Sequence, residues 1–128
     1  MKLNVIKTDK APKPAAWYEQ GYRAGDFIYT AGVTGSDPVT GKLVAPGDIV
    51  KQTRQAIKNI EQILIAGGSD LGHVFKTLCF ISDINKFQEF NETYKEFFPE
   101  NPPARSTVQI GKFHEGVMVE IEVIAAVK

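Results

Sequence analysis

The chain has 128 residues, of which 15 are basic and 15 acidic, so it carries no formal net charge at neutral pH. This length fits one domain, residues 1–128, with a proper hydrophobic core. The charge balance argues against a phosphate-tracking surface and hence against nucleic acid as a partner. No apolar run approaches the ~20 residues needed to cross a bilayer, so no membrane role is expected.

Residues 2–7 alternate weakly and fit a first strand. Residues 8–16 hold Pro12 and Pro14 with two lysines and read as a loop. Gly25-Asp26 sits between two extended pieces, which is a hairpin signal, and Phe27–Thr34 reads as a strong strand. A loop follows over Ser36–Gly47, rich in proline and glycine. Asp48 is placed to cap a helix running to Ala66. Its apolar residues Ile49, Ala56, Ile57, Ile60, Ile63 and Leu64 keep a 3.6-residue period, and Gly67-Gly68 ends it. Ser69–Gly72 is a short turn and Val74–Ile81 a buried strand. Ile84–Phe98 forms a second amphipathic helix with Phe87, Phe90, Tyr94, Phe97 and Phe98 inward, stopped by Pro99 and Pro102-Pro103. Two strands finish the chain. The order is β-β-β-α-β-α-β-β, an α+β arrangement whose two helices can cover only one sheet face.

The last quarter carries the chemistry. Along 117–127, Val117, Val119, Ile121, Val123 and Val127 alternate with Met118, Glu120 and Glu122. Along 104–110, Arg105, Thr107 and Gln109 share a face. The expectation is that Arg105, Thr107, Glu120 and Glu122 occupy the face without helices, together with Met118 and Ile124. Such a half-apolar, half-charged face calls for another subunit. If the last two strands form a simple hairpin, Thr107 opposes Glu120 and Arg105 opposes Glu122, within ~8 Å. If the Val74–Ile81 strand lies between them, the gap is ~10 Å. Arg105 offers a planar fork for a carboxylate. The competing structural role is an ion pair with Glu120 or Glu122. Two carboxylates on one face repel, which raises one pKa toward an acid–base value. Asn91 sits mid-helix, where propensity disfavours it, so a polar task fits. Gly32, inside a strand, marks a close backbone approach. Cys79 has no partner for a disulfide, and with His73 and His114 it makes no metal-binding spacing. The N-terminus lacks a signal-peptide core, so a reducing, cytoplasmic setting is expected, an organellar one staying open.

The run Pro103-Ala-Arg-Ser-Thr-Val-Gln-Ile110, followed by Gly116 and Val119-Glu-Ile-Glu-Val-Ile-Ala-Ala-Val127, resembles the signature of the RidA family, also called YjgF. Tyr18-Glu-Gln-Gly21, Phe27-Ile-Tyr-Thr-Ala-Gly32, Gln55–Asn59 and Asn91–Phe98 extend the likeness over nearly the whole chain. The resemblance implies a chorismate-mutase-like βαβαββ fold and a homotrimer around a central barrel with clefts between neighbours. It favours the strand-between arrangement of Arg105 and Glu120. It implies hydrolytic deamination of reactive 2-imino or enamino acids, such as 2-aminoacrylate, to 2-keto acids and ammonia. No cofactor and no metal is implied. Arg105 and Glu120 would be the catalytic pair, Arg105 gripping the substrate carboxylate and Glu120 acting as acid–base. Thr107, Gly32, Tyr18 and Asn91 would complete substrate binding, and Glu122 would be a structural partner. The chain departs from the family's common pattern at Trp17, Ala31, Thr107 and Phe113-His114, where proline, serine, cysteine and Leu-Pro are frequent. Ala31 removes one polar contact. Two rival functions remain, a regulator that binds a small carboxylate or keto acid without turnover and an endoribonuclease or translation inhibitor.

Overall fold

The computed structural model describes all 128 residues. Strands β1 (Leu3–Ile6), β2 (Gly21–Ala24), β3 (Phe27–Thr30) and the two-residue β4 (Val33–Thr34) precede helix α1 (Ile49–Gly67). Strand β5 (Val74–Ile81), helix α2 (Phe87–Phe97), β6 (Ala104–Gln109) and β7 (Val119–Ala126) follow. They make an α+β fold, two helices on one mixed sheet of order β1-β2-β3-β7-β5-β6, with β4 also paired to β7. All neighbours are antiparallel except β5 and β6, which α2 connects as a parallel crossover.

Helix α1 starts where Asp48 accepts a hydrogen bond from the Lys51 backbone N–H at 3.0 Å. It ends at Gly68, whose φ of 91° lies in the left-handed region open to glycine. Its inner stripe is buried against the sheet through Ile49, Ala56, Ile57, Ile60, Ile63 and Leu64. Two polar residues on that stripe anchor loops. The Gln52 amide donates to the carbonyls of Ala45 and Gly116 and accepts from the Met118 N–H. Asn59 donates to the carbonyls of Thr34 and Ser36. The core gathers Ile28, Cys79, Ile81, Val119, Ile121, Val123, Phe90 and Tyr94 with the α1 stripe.

The expected strand 27–34 is broken. Three residues, 30 to 32, stand opposite only two of β7, 122 and 123, between the pairs Tyr29–Ile124 and Val33–Ile121. This is a bulge, and it re-aims the backbone at Gly32. The second helix begins at Phe87, because residues 84–86 form a 3-10 turn capped by Asp83.

Register overturns the expectation of one shared polar face. Thr77 pairs with both Arg105 and Val123, and Cys79 with both Thr107 and Ile121. Arg105 and Thr107 therefore stand on the helix-covered face. Phe80 pairs with Glu120 and Val108, and Leu78 with Glu122 and Ser106, so the two acids stand on the other face. The expected face assignment holds only for the simple hairpin. Inserting β5 between the strands shifts the relation by one residue, and one residue flips every side chain. Met118, expected beside Glu120, precedes β7 and packs against the core.

Candidate functional site

Two polar sites lie on opposite faces of the sheet. The first is built around Arg105, on the terminal strand β6. Three rings of α2 surround its guanidinium, with Tyr94 at 4.6 Å, Phe87 at 5.4 Å and Phe90 at 5.7 Å from ring centroid to Cζ. These residues recur at i, i+3 and i+7, so one helix face presents all three. Cation–π attraction of this kind holds the charge without neutralising it. None of the chain's ion pairs includes Arg105, Glu120 or Glu122, so the structural ion pair between them does not form. Arg105 borders an open pocket of about 580 Å3 with Asn91, Tyr94, Lys95, Phe98 and three prolines, and no carboxylate lines it. Asn91 and Arg105 thus share one wall.

Thr107 lies one pleat further along β6. Its hydroxyl oxygen is buried without a hydrogen-bond partner within reach. Beside it, burial pushes the Cys79 thiol up to about 11, so the thiol stays protonated and unreactive at neutral pH.

The second site is built around Glu120 on β7. A Cβ placed on Gly32 would fall 2.7 Å from the Glu120 carboxylate carbon, closer than real contacts allow. The bulge and the glycine together let the carboxylate lie against backbone, the close approach expected at this position. Burial raises the Glu120 pKa above the ordinary glutamate range. The charge of neighbouring Glu122 adds to the rise, and His114 opposes it. Tyr18 lies in the loop before β2 and lines a separate surface pocket with Lys7, Trp17 and Tyr22. Its loop is fixed at the base by the buried Gln20 side chain, which accepts from the Thr8 N–H and donates to the carbonyls of Thr8, Ala11 and Pro12. The Gln20 carbonyl accepts from the Ala31 N–H at 2.9 Å, next to Gly32. Tyr18 itself is exposed, its hydroxyl accepting from the Ala15 N–H.

The structure thus puts Arg105 and Asn91 on one pocket wall with Thr107 one pleat along β6, and sets Glu120 against Gly32 on the other face, while Tyr18 lines a separate surface pocket with Lys7, Trp17 and Tyr22. Phe87, Phe90 and Tyr94 were legible only as core, because aromatic residues at helical spacing give the same signal whether they pack or cradle a cation. No cluster of three metal-ligating side chains occurs.

Residues 8–127 match the endoribonuclease L-PSP family, and the chain belongs to that family, which includes the RidA proteins its sequence resembles. It is 45% identical over 121 residues to a RutC family protein of Pyrococcus horikoshii, spanning 94% of this chain and 95% of that one. Rat 2-iminobutanoate/2-iminopropanoate deaminase is 42% identical over 121 residues, 94% of this chain and 88% of the relative. The crystal structure of TdcF from E. coli with bound serine superposes with a TM-score of 0.89 at 36% identity, covering 98% and 99% of the two chains.

Proposed function

We propose that the protein hydrolyses reactive 2-imino acids to 2-keto acids and ammonia. The observation that carries this reading is Arg105, a half-buried guanidinium with no acidic partner on a pocket free of carboxylates. A half-buried cation with no acidic partner in the chain is open to an incoming anion. The relatives named as deaminases and the serine-bound TdcF support a small substrate bearing a carboxylate.

Arg105 and Glu120 point to opposite sides of one sheet, so a site using both takes them from two copies. The face of Glu120 also exposes Tyr22, Phe27, Tyr29, Phe75 and Val108, an apolar surface fit for burial. We infer a trimer in which Arg105, Thr107 and Asn91 of one copy meet Glu120, Gly32 and Tyr18 of the next. Arg105 grips the substrate carboxylate with two hydrogen bonds. Water adds to the electrophilic imine carbon as Glu120 takes its proton and passes it to the nitrogen. The resulting hydroxyl then gives its proton to the same nitrogen through Glu120. The C–N bond breaks, releasing ammonia and leaving the 2-keto acid. The raised Glu120 pKa suits a group that must hold a proton briefly.

The test generates imines in situ with an amino-acid oxidase and follows keto-acid and ammonia release. The expected result is release faster than spontaneous hydrolysis, abolished in Glu120→Gln. Binding of 2-ketobutyrate without any acceleration would instead identify a ligand-binding regulator.

A further inference from the structure

Arg105 sits where an arginine ought to wander. Its strand is the last of the sheet, its neighbours Ala104 and Ser106 are exposed, and no carboxylate or carbonyl holds its guanidinium. What surrounds it instead is a closed arrangement of three residues. Tyr94 lies nearest the guanidinium at 4.6 Å. The Tyr94 hydroxyl shares a buried hydrogen bond of 2.9 Å with the Thr77 hydroxyl. Thr77 is in turn the residue of β5 paired in register with Arg105. The ring that supports the cation is therefore tied to the strand beside the cation. Tyr94 is itself fixed in a ring ladder, 5.7 Å from Phe90 and 4.7 Å from Phe98 between centroids, and it is 3% exposed.

A hydrophobic core needs no hydroxyl at this position, and burying one needs a partner. The pair of hydroxyls instead fixes the ring plane, and the ring plane fixes the guanidinium. The rings lie against the guanidinium, no hydrogen bond engages its N–H groups, and Arg105 lines the pocket. We propose that Tyr94, locked by Thr77, is the positioning residue that holds Arg105 in its carboxylate-binding orientation before any ligand arrives. The inference rests on the reading of Arg105 as the carboxylate anchor.

The test is a double-mutant cycle on the full-length protein, combining Tyr94→Leu with Arg105→Ala. Calorimetry reads 2-ketobutyrate affinity, and the imine assay separates kcat from KM. Tyr94→Leu is expected to raise Kd and KM about tenfold with little change in kcat, and to add nothing once Arg105 is alanine. An equal cost in both backgrounds, or a fall in kcat at unchanged KM, shows a purely structural role and overturns the proposal.

A second readout needs neither ligand nor turnover. The Arg105 Nε–H resonance, assigned by its loss in Arg105→Lys, should be shifted upfield by the ring in the wild type. The shift should persist in Tyr94→Phe, and the signal should exchange faster in Thr77→Val. An unshifted Nε–H in the wild type overturns the proposal even where Tyr94→Leu fails to fold. If the shift and the coupling are found but no imine is hydrolysed, the positioning role stands and the deaminase reading falls.

Discussion

At the scale of single residues, the proposed mechanism divides the labour between two charges. Glu120 is a carboxylate whose burial disfavours its charged form. Its folded pKa is raised, so its contribution to stability is full below the ordinary glutamate range and is lost as pH rises through the raised value. Glu120→Gln should therefore melt higher than wild type at pH 7, with the difference closing below about pH 4, as thermal scans across pH would show. The same variant should lose most turnover while keeping 2-keto acid affinity, since glutamine keeps the shape and cannot take the proton. In the proposed site Arg105 would act by geometry as much as by charge. Arg105→Ala should weaken 2-keto acid binding by about 1.5–3 kcal/mol, the scale of a charge-assisted hydrogen bond, measured by calorimetry. Its fold should survive, because the guanidinium makes no ion pair or hydrogen bond inside the chain and the rings beneath it keep their own packing. Arg105→Lys should restore activity only in part, lacking the bidentate fork and the flat face that stacks on Tyr94.

At the scale of elements, the bulge between β3 and β4 and the aromatic face of α2 decide where those charges sit. Gly32→Ala would push its methyl into the Glu120 carboxylate. The obstacle is the end of a movable side chain, so the carboxylate should swing away at little cost in stability. Turnover should collapse while the unfolding free energy from urea titration stays within about 0.5 kcal/mol of wild type, and a matching loss of both would mean that Gly32 serves the fold. The strong periodicity of α1, its Asp48 and Gly68 caps and the alternation of β7 were all legible in the sequence, because each is a local pattern with one physical solution. The face of Arg105 was not. Alternation says which residues of a strand share a side, but the relation between two strands depends on what lies between them, and β5 does. The bulge was hidden for a related reason. An extra residue leaves a strand's own pattern nearly intact and becomes visible only against its partner. The cradle around Arg105 was hidden because Phe87, Phe90 and Tyr94 spell an ordinary buried helix face.

At the scale of the whole molecule, the sheet has one face covered by two helices and one face bare. The bare face carries Phe27, whose ring meets Phe75 edge-on at 5.8 Å, together with exposed Tyr22, Tyr29 and Val108. Apolar surface of this extent favours association. Sedimentation at micromolar concentration should show a trimer, and a stable species of 14.1 kDa would remove the basis for a shared cleft. In the proposed mechanism, the placement of Arg105 and Glu120 on opposite sheet faces makes assembly a condition of function. On that proposal a lone chain offers either the anchor or the proton shuttle at any one place, never both.

That division gives the most direct test. Arg105→Ala and Glu120→Gln, each expected to be strongly impaired alone, are co-expressed in equal amounts and the mixed oligomers assayed for imine hydrolysis. If each site takes Arg105 from one copy and Glu120 from its neighbour, random mixing rebuilds about one site in four with both groups intact, so about a quarter of wild-type activity should return. Activity no greater than that of the two parents, in oligomers verified to contain both chains, would contradict a site shared between copies.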